Sequence, residues 1–150
     1  MINILISRCL LGEKCRYDGK GNSIGQLDRI KEKCHLIDVC PEVSGGLPTP
    51  RLPSEIRDGR VYMSDGTDVT DNFRKGAKAA LDTALKHGCK AAILKAKSPS
   101  CGSGWVYDGT FSGKLTDGDG ITASLVKEHG IRVFSEKQVE EILEFLEEEN

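Results

Sequence analysis

The sequence predicts an α/β fold, a single domain over residues 1–150 with a mostly parallel sheet flanked by helices and a site at the carboxyl edge of the strands. Three observations lead there. Apolar runs of strand length recur at residues 2–7, 35–40, 91–94 and 131–134. Stripes of helical period separate them, as the crossovers of a parallel sheet require. The two longest loops follow the second and third runs, which puts both at the strands' carboxyl ends, where such sheets bind ligands.

Each element has its own signal. Ile2 to Ser7 is continuously apolar before it turns polar, as a strand buried on both faces should be. A Gly-rich loop follows, then a short helical stripe at Ile24, Leu27 and Ile30. His35 to Cys40 predicts the second strand. Pro41 to Ser54 holds four prolines and two glycines, so it is expected to be a loop. Arg60 to Met63 predicts a short edge strand ahead of the Asp65-Gly66 turn. Thr70 is expected to cap a helix running to His87, with Phe73, Ala77, Ala80, Leu81 and Ala84 on one face and Gly88 as its left-handed stop. Ala91 to Leu94 gives the third strand. Ser98 to Gly120 reads as a long loop holding a small hairpin, Trp105–Tyr107 against Thr110–Phe111. A helix over Ile121 to His129 ends at Gly130, with Asp119 as its N-cap. A fourth strand covers Ile131 to Phe134. Ser135-x-x-Gln138 is a capping box ahead of the stripe Val139, Ile142, Leu143, Leu146.

The chain of 150 residues carries 21 basic and 23 acidic side chains, a net charge of −2 with no basic block. That balance gives no general drive toward nucleic acid or a membrane surface. The Glu-rich end, Glu144 and Glu147 to Glu149, reads as a solvated helix end. The N-terminal apolar run lacks a charged leader and a cleavage site, and no stretch approaches a membrane span. A cytoplasmic protein is expected, in which thiols stay reduced and cysteines serve as ligands, nucleophiles or core residues.

The predicted strands sort the six cysteines by edge. Cys9 follows strand one, Cys40 ends strand two, and Cys101 lies seven residues past Leu94. These three share the carboxyl edge. Cys34 and Cys89 precede strands and belong at the other edge as small core residues. Cys15, six residues past Cys9, fits a packing or accessory role better than that of a fourth ligand. No C-x-x-C pair is present, so the usual zinc knuckle is missing. Glycines and prolines around Cys40 and Cys101 would let the backbone approach a bulky group closely.

Cys-Leu-Leu-Gly-x-x-Cys-Arg-Tyr-Asp-Gly (9–19), Cys-Pro-Glu-Val-Ser-Gly-Gly-Leu-Pro-Thr-Pro-Arg (40–51), Asp-Gly-Thr-Asp-Val-Thr (65–70), Ser-Pro-Ser-Cys-Gly (98–102) and Tyr-Asp-Gly-Thr-Phe-Ser-Gly (107–113) stand in this order. In them the chain resembles the thiouracil desulfidase family of bacteria and archaea over nearly its whole length. The resemblance implies a [4Fe-4S] cluster held by Cys9, Cys40 and Cys101, with one iron open to substrate sulfur. It implies Glu42 as catalytic acid/base and Ser98 as catalytic serine. The expected substrate is a small thiolated base, converted from C=S to C=O with release of sulfide in a non-redox reaction. Arg8 departs from the small residue usual before the first cysteine, and Leu52-Pro53-Ser54 departs from a more proline- and alanine-rich run. A different class of function, a non-catalytic iron–sulfur or zinc module acting as sensor or sulfur carrier, fits the same thiols.

Other patterns carry less. Gly19 to Gly25 is off the dinucleotide spacing and far from strand one. Asp117-Gly-Asp119-Gly lacks the remaining ligands of a calcium loop. His35, His87 and His129 are dispersed, two of them at helix ends beside glycine. Trp105 and Tyr107 are candidates for an aromatic face against a base, or for packing of their loop.

Overall fold

The computed structural model describes residues 1–21 and 23–149. In chain order the elements are β1 (Asn3–Ser7), a 3₁₀ turn (Arg8–Leu11), α1 (Leu27–Lys33), β2 (His35–Val39), α2 (Pro41–Ser44), β3 (Ser54–Arg57), β4 (Arg60–Met63), α3 (Thr70–Lys86), β5 (Ala91–Ile93), β6 (Trp105–Tyr107), β7 (Leu115–Asp117), α4 (Ile121–Glu128), β8 (Arg132–Phe134) and α5 (Val139–Glu149). The central sheet has the order β2-β1-β5-β8, and every pairing in it is parallel. The expected α/β class is therefore observed.

Alternation along β1 explains its unbroken apolar run. Ile4 and Ile6 point to one face and pack with Ile30 of α1 and Ile142, Leu143 and Leu146 of α5. Leu5 points to the other face, among Ala80, Leu81 and Ala84 of α3 and Ala123 and Val126 of α4. A parallel sheet covered on both faces needs apolar residues at every position of its inner strands. Cys34 and Cys89 take small core positions, and burial raises both thiols, Cys34 to about 11.

Several local expectations are corrected. Residues 41–54 are not all loop, because Pro41 sits at the first position of α2, where its missing N–H costs nothing. β4 is the expected short edge strand, but of a separate two-stranded sheet. It pairs antiparallel with β3, and this hairpin rests on the start of α3 through Val61 and Phe73. β6 pairs with β7 rather than with Thr110–Phe111, because the Glu55 carboxylate takes the N–H groups of Gly109 and Phe111 and holds that segment as a wide turn. Asp119 does not cap α4. It accepts the Gly104 N–H and pairs with Lys127, while the Pro99 carbonyl accepts the first amide of the helix, from Ile121, and the Ser100 carbonyl the next two, from Thr122 and Ala123. The capping box before α5 is half formed: Gln138 Oε1 accepts the Ser135 N–H, but Ser135 Oγ accepts from Lys137.

Thr70 is helical rather than a cap. Asp68 does the capping, its Oδ1 accepting the Thr70 hydroxyl at 2.6 Å and the Thr70 N–H at 2.9 Å. These bonds, the hydroxyl first, with Arg60 beside them, hold the Asp68 carboxyl down at about 2. A carboxyl whose folded value lies below its unfolded one stabilises the fold above about pH 4, and that contribution fades as pH falls toward 2. Asp68→Asn is therefore expected to lower Tm at pH 7 and to flatten the dependence of Tm on pH between 4 and 2. Thermal melts across that range check it; an unchanged pH slope would show that Asp68 does not carry it.

Candidate active site

β1, β2 and β5 run side by side, so their carboxyl ends meet at one edge. A cavity of about 660 Å³ opens there. Cys9, Cys40, Cys101, Glu42 and Ser98 all line it, and so does Cys15. All six cysteines of the chain are free thiols.

Cys9 follows the end of β1 in the 3₁₀ turn, and Cys40 directly follows β2 as the N-cap of α2. Cys101 sits in the tight turn after Ser98. The Ser98 Oγ accepts the N–H groups of Ser100 and Cys101 at 3.1 and 3.0 Å, which fixes the thiol's backbone. Cys101 is 5% exposed, and burial pushes its thiol up to about 12, partly offset by a hydrogen bond from Ser7. Ser7 Oγ also accepts the Lys95 N–H, so one buried hydroxyl ties the ends of β1 and β5 together.

Cys15 is closer to the other thiols than its place in a long loop suggested. Cys40 Sγ donates to the Cys15 carbonyl at 3.8 Å, and the Cys15 thiol interacts with those of Cys40 and Cys9. The Cys40 contact lowers the Cys15 thiol, but the Cys9 contact and burial outweigh it, so the net shift is upward. Cys40 is raised more strongly, first by Cys15 and then by burial, while the Val43 N–H at the start of α2 pulls the other way.

Glu42 stands in the first turn of α2, within a bidentate grip. Arg51 Nε and Nη2 reach its Oε2 at 2.8 and 2.5 Å. The remaining Arg51 donors go to the carbonyls of Pro48 and Cys15 and to Thr49 Oγ1. The guanidinium side chain is only 3% exposed and spends every N–H on this corner. The Arg51 pair leaves room for a chemical role of Glu42, because Glu42 Oε1 keeps no partner among the described residues. Ser98 is in the same position: its oxygen braces the turn, and its hydroxyl hydrogen is uncommitted.

The other walls come from the two hairpins. Tyr107 and Phe111 line the cavity, as does Tyr17. Trp105 does not; it is 56% exposed, so half of the expected aromatic face is corrected. Two cations at the rim are paired, Arg8 with Asp38 at 2.6 Å and Lys95 with Glu136 at 2.8 Å. Sequence reasoning missed Glu55 and Lys95 as lining residues.

The donor set suits an iron–sulfur cluster better than a single ion. Among the described residues no group of three or more His, Cys, Asp or Glu side chains could hold one metal ion. A tetrahedral zinc needs its ligands drawn around one point, whereas a cubane spreads its thiolates over separate irons. Buried, soft sulfur donors facing one cavity suit a strongly cationic group, which binds them as thiolates.

The residues 4–138 match the family model described as 2-thiouracil desulfurase. The uncharacterized protein YbbK of Bacillus subtilis is 41% identical over 93% of this chain and 99% of its own length. Among solved structures, the [4Fe-4S]-dependent thiouracil desulfidase TudS superposes with a TM-score of 0.93 at 44% identity, covering 98% of this chain and 99% of that one.

Proposed function

Since the chain belongs to the 2-thiouracil desulfurase family, we propose that it is a [4Fe-4S]-dependent desulfidase for a thiolated nucleobase-like compound, with Cys9, Cys40 and Cys101 as cluster ligands, Glu42 as general base and Ser98 as hydroxyl donor. One observation supports the assignment of roles: the five side chains come from three distant segments, at residues 9, 40–42 and 98–101, and line one cavity. No helix is long and apolar enough to cross a membrane among the described residues. A cytoplasmic, single-domain enzyme acting on a small molecule rather than on nucleic acid fits this reading.

The net reaction exchanges C=S and water for C=O and hydrogen sulfide. When bound, the cluster supplies an iron without a protein ligand, a Lewis acid for soft sulfur. The remaining work falls to this chain's side chains. Glu42 Oε1 accepts a proton from the water that attacks the thiocarbonyl carbon, a transfer worth about 10²–10⁴-fold when well placed. Arg51 holds Oε2, which fixes the direction of the carboxylate. The Ser98 hydroxyl donates to the substrate as charge develops on it. Tyr17, Tyr107 and Phe111 offer apolar faces to a flat ring and exclude bulk water.

The test is anaerobic reconstitution followed by a sulfide-release screen over thiolated bases. The wild type is expected to be brown, to carry iron and labile sulfide in equal amounts, and to release sulfide. Ser in place of Cys9, Cys40 or Cys101 is expected to lower iron content severalfold and activity at least about tenfold. Cys15→Ser is expected to keep the cluster. A colourless protein with stoichiometric zinc would overturn the enzyme reading. Retained iron in Cys101→Ser, or lost iron in Cys15→Ser, would overturn the ligand set.

A further inference from the structure

Glu55 is a buried carboxylate that neither the fold nor the reaction yet explains. It lies on β3, is 9% exposed and lines the cavity. Its Oε1 accepts two backbone N–H groups, from Gly109 at 3.0 Å and Phe111 at 3.2 Å. Its Oε2 has no hydrogen-bond or ionic partner among the described residues. Of the cations that line the cavity, Arg8, Arg16, Arg51 and Lys95 pair with Asp38, Asp18, Glu42 and Glu136, and Lys97 forms no ion pair with Glu55 among the described residues. Among the described residues no fully buried side-chain nitrogen or oxygen lacks a partner. The unpaired Oε2 must therefore touch accessible space, and the cavity is the space that Glu55 lines.

Burying a carboxylate without a counter-charge is expensive unless donors satisfy it. The two amides satisfy one oxygen and aim the other. They also tie Glu55 to the segment that carries Phe111, with Tyr107 on the adjoining strand. An acceptor is thus held at the edge of an aromatic-walled pocket. A flat ring lying against those aromatics would turn its rim, with its N–H groups, toward such an acceptor.

We infer that Glu55 is a specificity-determining residue whose Oε2 accepts a ring N–H of the substrate, an inference that rests on the desulfidase reading above. The substrate class narrows accordingly to cyclic thioamides and thioureas with a free ring N–H. Compounds alkylated at that nitrogen would leave the carboxylate unpaired and meet it with a methyl group. Glu55 itself takes no part in the proton transfer assigned to Glu42.

The test uses the reconstituted full-length enzyme with 2-thiouracil and its 1-methyl, 3-methyl and 1,3-dimethyl derivatives, and separates KM from kcat. In the wild type, methylation of one nitrogen is expected to raise KM about tenfold or more, with a smaller change in kcat. Which nitrogen it is also tells whether a nucleoside, substituted at N1, can be accepted. In Glu55→Gln the amide oxygen keeps the two backbone donors, so the NH₂ group replaces Oε2. A donor then faces a donor. KM for 2-thiouracil is expected to rise about tenfold, and the difference between free and methylated compounds to collapse. Unchanged fluorescence of Trp105, on the same hairpin, would show that the wall has kept its shape. The methyl series on the wild type needs no variant, so a misfolded Glu55→Gln does not rescue the idea. Equal KM for all four compounds, or full discrimination retained in Glu55→Gln, would overturn it while leaving the desulfidase intact. No sulfide release from any compound would overturn the desulfidase reading and this inference with it.

Discussion

Glu42→Gln is expected to lower turnover about 10²–10⁴-fold while the cluster's iron, sulfide and colour remain at wild-type levels. Gln matches Glu in size but cannot take a proton from water near neutral pH. Ala is the blunter choice. It would strip Arg51 of its anion, and a buried guanidinium without a partner costs about 3–5 kcal/mol. The fall in activity would then mix lost chemistry with a displaced loop, because Arg51 also holds the Cys15 carbonyl. Gln keeps an acceptor for Arg51 and limits that confusion. Activity, iron content and Tm should be measured on the same preparation. Turnover within about threefold of wild type in a fully loaded Glu42→Gln would remove Glu42 from the base role. Lost iron would instead mean that Glu42 matters for assembly.

The thiol trio was legible before the structure because it depends only on strand polarity. Once Ile2–Ser7, His35–Cys40 and Ala91–Leu94 are strands of one parallel sheet, the residues following them must share an edge. Four features escaped. β3 is Ser-Glu-Ile-Arg, with one apolar residue, and becomes a strand only through its pairing with β4. The wide turn after β6 depends on Glu55, more than fifty residues upstream. Cys15 reaches Cys40 because Arg51 grips the Cys15 carbonyl and donates its own backbone N–H to the Tyr17 carbonyl. The last two rest on long-range hydrogen bonds between polar groups, and no local hydrophobic period records them. α2 is different: its signal was present, a proline at the first helical position after a cysteine cap, but the proline count of residues 41–54 masked it.

Much of the site's geometry is set where α2 meets α3. Asn72 Nδ2 of α3 donates to the Gly45 carbonyl at 2.9 Å, and the two helices touch backbone to backbone. A Cβ added at Gly76 would fall 1.8 Å from the Pro41 carbonyl oxygen and 2.6 Å from its carbon. No rotamer relieves this, since both partners are main chain. On propensity alone, Gly76→Ala within a 17-residue helix should gain about 1 kcal/mol. The close approach reverses the sign. Forcing an extra methyl into a packed contact costs about 1–3 kcal/mol, and here the yielding part is the segment between Cys40 and Glu42. Gly76→Ala is therefore expected to lower Tm by several degrees. It should also reduce turnover about 10²-fold through displacement of a thiol and a base that it never touches. Lys75→Ala, one residue earlier and exposed, reports the propensity effect alone and should leave both quantities near wild type. If Gly76→Ala matches Lys75→Ala in Tm and activity, α2 is free to slide on α3, and the position of Cys40 and Glu42 must be fixed by the Arg51 corner instead.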